Sequence, residues 1–87
     1  MHCSFEIIFM YTLYILRCKD NSLYTGIAKD LEKRLEMHRA GTGSKYVRAK
    51  SPFAVVYTET CKDRSSASKR ESAVKKLSKI EKETLIK

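Results

Sequence analysis

Five side chains of this sequence are of types that phosphodiester chemistry uses: Tyr14, Tyr24, Arg34, His38 and Glu71. A guanidinium forks onto two phosphate oxygens, and an imidazole bonds or relays a proton near neutral pH. Phenolic hydroxyls donate and accept hydrogen bonds, so they can orient a water. Each residue also has a plainer reading. Arg34 suits a surface cation with a buried stem, His38 a satisfied packing histidine, and the tyrosines amphipathic core edges. Glu71 can form an i,i+4 pair with Lys75 on a solvated helix face. Tyr11 and Tyr57 are read only as packing residues.

The elements that must position these groups are legible in outline. Met10 to Cys18 is rich in Tyr, Ile, Leu and Thr, which suits a half-buried strand. Lys19-Asp20-Asn21-Ser22 is turn chemistry, and Ser22 to Ile27 returns as the second strand of a hairpin. Side chains alternate along a strand, so Tyr14 and Tyr24 share a face if the loop holds an odd number of residues, as one centred on Asn21 would. Gly26 is then expected to leave space for a ligand's approach. Asp30 can cap a helix over roughly Leu31 to Ala40, with Gly41 as its stop. Around that helix Arg34 and His38 lie about 60° and about 20° from Leu31, bordering the face turned to the sheet.

Gly41 to Ser44 is flexible punctuation, followed by the basic stretch Lys45 to Lys50, which Ser51-Pro52 ends. Phe53 to Cys61 reads as a third strand, with Phe53, Val55, Tyr57 and Glu59 expected on one face. Asp63 or Ser65 can cap a second helix reaching about Leu77. On it Ala67, Val74 and Ser78 form a stripe that Glu71 interrupts. A carboxylate there needs a cation, strong donors or a metal to offset its desolvation. Ser78-Lys79-Ile80-Glu81 matches a capping box, so a short third helix is expected.

A chain of 87 residues has room for one modest core, so a single domain is expected over 10–87, preceded by an extension of uncertain order over 1–9. The net charge of +8 favours polyanionic partners, although charge also serves solubility alone. No apolar run approaches the roughly 20 residues that span a bilayer, and the segment from Phe5 to Tyr14 makes a poor signal peptide. Cys3, Cys18 and Cys61 show neither a disulfide framework nor zinc spacing, which suits a reducing cytoplasm.

Thr12-Leu13-Tyr14, Tyr24-Thr25-Gly26, and the helix carrying Arg34 and His38 together resemble the core of the GIY-YIG nuclease superfamily, in its short single-domain bacterial form. The resemblance runs from Met10 to about Lys87. It implies an α+β fold in which a small three-stranded antiparallel sheet is flanked by helices. It further implies a metal-dependent endonuclease in which Tyr14, Tyr24, Arg34 and His38 act on the phosphodiester, and Glu71 holds one Mg²⁺ or Mn²⁺. Lys45, Arg48 and Lys50 would grip the flanking backbone, with Lys29, Lys79 and Lys82 as further phosphate contacts. DNA is the expected substrate before RNA, in repair or recombination, with no membrane partner.

The sequence departs from the family's pattern in four places. Thr12-Leu13 replaces Gly-Ile, and Thr25 replaces the isoleucine of the second motif. The lysine that some members carry just after that motif is not at Ile27, though Lys29 is near. No asparagine follows Asn21, so the one that many members place after the glutamate is missing. The alternative is therefore a non-catalytic nucleic-acid-binding module that keeps the nuclease fold. A protein-interaction domain is a third class. Low sequence specificity, or a partner protein that supplies it, is expected, and the oligomeric state is open.

Overall fold

The computed structural model describes residues 10–42, 45, 47 and 52–87. Strands β1 (Tyr11–Cys18), β2 (Leu23–Ala28) and β3 (Phe53–Cys61) form an antiparallel sheet in the order β2-β1-β3, with helices α1 (Leu31–Ala40), α2 (Arg64–Lys75) and α3 (Lys79–Ile86). The fold is α+β, as expected. The extension over 1–9, Arg48 and Lys50 lie outside the described residues.

The central strand β1 is covered on both sides, which is why Leu13 to Leu16 are buried without a break. Its alternation sends Leu13 and Ile15 into a core with Cys61, Ala67 and Val74, while Tyr14 and Leu16 enter a second core with Ala28, Leu35 and Val47. Leu77, Leu85 and Ile86 pack against the first core; Tyr24, Leu31 and Phe53 pack against the second. The sheet thus separates an α2/α3 side from an α1 side. Tyr11 and Tyr57 fall on the α2/α3 side as packing residues.

The hairpin has the expected parity with a shifted centre. Tyr14 pairs with Gly26 and Leu16 with Tyr24, so the loop is centred on Asp20 instead of Asn21. Asn21 takes the left-handed conformation at φ 70°, and its N–H donates to Cys18 O at 2.8 Å. This is the three-residue turn in which one residue must adopt positive φ, a role that asparagine tolerates. Ser22 is occupied in closing the turn, receiving the Cys18 N–H on its carbonyl and donating its own N–H and hydroxyl to Asp20, so β2 begins at Leu23.

Helix ends follow local chemistry. The Asp30 carboxylate accepts from Lys33 N–H and Gly41 stops α1 at φ 81°, while the Asp63 carboxylate accepts from Ser66 N–H. Both halves of the Ser78/Glu81 capping box are formed. Helix α2 ends at Lys75, short of Leu77, because the next two N–H groups bond three residues back, Lys76 to Ala73 and Leu77 to Val74. Ser78 therefore caps α3 and is not part of the buried stripe of α2.

The expected single face of β3 is divided. Opposite Ile15 stands Tyr57, but opposite Leu16 stands Val55, so Val56 is an extra residue in a bulge. A bulge reverses the alternation beyond it. Tyr57 keeps the α2/α3 side while Phe53 crosses to the α1 side.

Candidate active site

The two tyrosines reach one place because their strands pair with even register, and α1 lays His38 against them. The Tyr14 hydroxyl lies 3.1 Å from His38 Nε2. The Tyr14 and Tyr24 ring centroids are 6.4 Å apart, and each ring meets the imidazole edge-on, at 6.1 Å and 5.8 Å. A third ring, Phe53, meets it at 5.9 Å. Sequence reasoning missed Phe53, because uninterrupted alternation placed it beside Tyr57; only the bulge brings it here.

Gly26 has a different role from the one expected. A Cβ on it would lie 2.7 Å from the Tyr14 hydroxyl oxygen and 2.8 Å from Cζ. The space above the glycine is filled by the Tyr14 phenol, not held open for a ligand. The glycine is required by close approach.

Burial is the main reason the Tyr14 phenol is pushed up to about 12 from the usual 10.0; Tyr24 and Glu71 raise it further, while Arg34 opposes them. Tyr14 is therefore a neutral hydroxyl at physiological pH. His38 is only 2% exposed, and burial, with Arg34 nearby, holds its imidazole below the usual 6.5. The ring is neutral at pH 7 and keeps one nitrogen able to accept a proton.

Arg34 stands exposed one turn before His38, and its charge acts on both His38 and Tyr14. It makes no ion pair among the described residues, which leaves its fork available to an anion. Glu71 sits half-buried on α2 between Ala67 and Val74, with Lys75 Nζ 3.2 Å from its carboxylate. Helix α2 packs on the other side of the sheet, yet the Glu71 charge reaches the Tyr14 phenol, which lies over the edge strand β2. The ion pair with Lys75 and the field at Tyr14 therefore coexist.

The other cations are distributed. Lys29 is exposed at the bend between β2 and α1, and Lys45 is exposed two residues before Val47, which is fully buried on the tyrosine side. Lys79 donates to Asn21 O at 2.7 Å and lies 3.6 Å from Glu83, while Lys82 is partly covered on the same helix. Helix α3 packs through Leu85 and Ile86 into the core without the site tyrosines. No helix among the described residues is long and apolar enough to cross a membrane.

Comparison with known proteins places the chain in a family. A UPF0213 protein of Desulfotalea psychrophila is 47% identical over 76 residues, covering 86% of this chain and 69% of that one. Another from Oceanobacillus iheyensis is 47% identical over 74 residues, covering 85% and 86%. The solution NMR structure of a UPF0213 protein from Bacillus halodurans superposes with a TM-score of 0.59 at 40% identity, covering 88% of this chain and 82% of that one. A second solution NMR structure, of a protein from E. faecalis, gives 0.61 at 39% identity, covering 87% and 82%. Residues 10–84 match the family described as the GIY-YIG catalytic domain, and this chain, with its paired tyrosines and helical Arg34 and His38, belongs to that family.

Proposed function

We propose that the protein is a metal-dependent endonuclease that hydrolyses nucleic-acid phosphodiester bonds, DNA before RNA, with little sequence specificity of its own. The observation that carries this reading is the convergence of the Tyr14, Tyr24 and His38 rings under the fields of Arg34 and Glu71. Arg34, exposed and without an ion pair among the described residues, binds the scissile phosphate and offsets charge that develops on its oxygens. Tyr24 is partly exposed, so its hydroxyl meets the attacking water and orients it or takes its proton. His38, neutral and bonded to Tyr14, receives or relays that proton, while the Tyr14 hydroxyl, held protonated, fixes the imidazole and the water.

Glu71 is suited to hold Mg²⁺ or Mn²⁺. Magnesium is typically bound by one or two carboxylates, with waters and substrate phosphate completing its shell, so a single accessible carboxylate fits. Its present partner, Lys75, is 54% exposed and can swing into solvent. The bound ion would polarise the phosphorus and neutralise the leaving oxygen.

The test is cleavage of a panel of branched, single-stranded and duplex substrates with Mg²⁺ and with Mn²⁺. Cleavage that EDTA abolishes is the expected result. Salt-sensitive binding with no cleavage of any substrate would overturn the enzymatic reading and leave a nucleic-acid-binding module.

A further inference from the structure

The charge of this chain is concentrated on α2. Between residues 62 and 76, Lys62, Arg64, Lys69, Arg70, Lys75 and Lys76 stand against Asp63 and Glu71, so half of the net +8 comes from this stretch. Neither carboxylate faces outward unpaired: Asp63 caps the helix through Ser66, and Glu71 is paired with Lys75. Arg70 is also engaged, donating to Glu59 at 2.8 Å.

At about 100° per residue, Arg64 and Lys75 form one line along the helix, and Lys69 and Lys76 form another about 120° away. All four are exposed. The surface between the lines is formed by exposed Ser65, Ser68 and Ser72, small side chains that let a phosphate backbone approach closely and offer it three hydroxyl donors. The opposite side of the helix buries Ala67 and Val74. Lys75 bridges to Glu71, so the first line begins where the candidate active site ends.

We propose that the outward face of α2 is a track for a nucleic-acid backbone, continuing from Glu71 between the Arg64/Lys75 and Lys69/Lys76 lines. Its occupant is a phosphodiester strand: the face is cationic, has no unpaired carboxylate among the described residues, and lacks the large apolar side chains a protein partner would bury. A helix of 12 residues is about 18 Å long, which spans about five phosphates of one duplex strand. Three cations without a carboxylate partner among the described residues, Arg64, Lys69 and Lys76, line that length, with the exposed Lys75 beside Glu71 at its start. The inference rests on the nucleic-acid substrate proposed above and adds the path that substrate takes.

Binding of a fluorescent duplex is measured by anisotropy in EDTA, which removes cleavage from the readout, across a salt titration. Arg64→Gln, Lys69→Gln and Lys76→Gln are made singly and together; Lys75 is left intact because of its contact with Glu71. Each single change should lower the slope of log K against log salt by about 0.9, and the triple change by about 2.7. Lys19→Gln on the hairpin turn and Lys87→Gln at the last residue should leave it unchanged. An unchanged slope in the triple variant, equal losses in the two controls, or no binding by the wild type would each overturn the track. Wild-type binding with the full set of slope changes but no cleavage under any metal would support the track while removing the nuclease reading. Circular dichroism confirms that the variants fold.

Discussion

Replacing Gly26 by alanine perturbs the candidate site at its tightest point. The new Cβ would meet Tyr14 at 2.7 Å from its oxygen, 2.8 Å from Cζ and 3.3 Å from Cε2. Non-bonded carbons settle at about 3.5–4.0 Å, so the ring must withdraw by about 1 Å. Tyr14 is 1% exposed and shares its core with Leu16, Ala28, Leu35 and Val47, so the movement presses on packed neighbours. Overpacking of this kind costs about 1–3 kcal/mol, and losing the bond to His38 adds about 1 kcal/mol. Relief of glycine's entropy penalty in a strand returns about 0.5–1 kcal/mol. The net expectation is a loss of about 1–3 kcal/mol, read from urea denaturation, together with a shift of the His38 imidazole resonances by NMR. The same substitution in a Tyr14→Leu background should be neutral or stabilising, because the offending ring is gone. Tyr14→Phe should not relieve it, since Cζ remains. A wild-type urea midpoint with unmoved His38 resonances, or an equal loss in the Tyr14→Leu background, would refute the close-approach argument.

Tyr24→Phe removes the hydroxyl and keeps the ring, so single-turnover cleavage should fall by about 10²-fold or more with little change in stability, as it should for Glu71→Ala. Tyr57→Phe, which loses a 3.3 Å bond to Glu59 on the far side of the sheet from the candidate site, should retain activity; an unimpaired Tyr24→Phe would make His38 the proton acceptor. Thr25 is 3% exposed and its hydroxyl has no hydrogen-bond partner among the described residues, so isosteric Thr25→Val should stabilise by about 1 kcal/mol; a destabilised variant would reveal a hidden partner. Acidification should weaken the fold in two stages. The His38 imidazole is held below 6.5 by burial and Arg34, so the unfolded chain takes up that proton first and stability falls as pH drops below 6.5. The Glu83 carboxyl, gripped by the two terminal guanidinium nitrogens of Arg17, is pulled from 4.5 to about 2, so a second loss follows between those values, and Glu83→Gln should flatten it. A urea midpoint constant from pH 8 to pH 3 would contradict both assignments.

The features legible in the sequence are those decided within a few residues. The Asp30, Asp63 and Ser78/Glu81 caps, the Gly41 stop and the turn at Asn21 each depend on neighbours at most four positions away, so they could be read directly. The shared face of Tyr14 and Tyr24 was legible too, because shifting the loop centre by one residue changes the register but not its parity. The α+β class came from the resemblance to the GIY-YIG superfamily, carried by the order of tyrosines, arginine, histidine and glutamate along the chain.

Tertiary structure decided what depends on partners distant in sequence. The Val56 bulge exists only in the pairing of β3 with β1, and it alone carries Phe53 to His38. The tyrosine that fills the space over Gly26 comes from the neighbouring strand, and the clamp on Glu83 comes from Arg17, 66 residues earlier. Composition showed the amount of positive charge, but only the burial of Ala67 and Val74 determines which side of α2 presents it to solvent. Local propensity is set by covalent neighbours, whereas register, close approach and burial are set by which surfaces meet. A site built from three strands and two helices is therefore spelled in the chain but assembled only by packing.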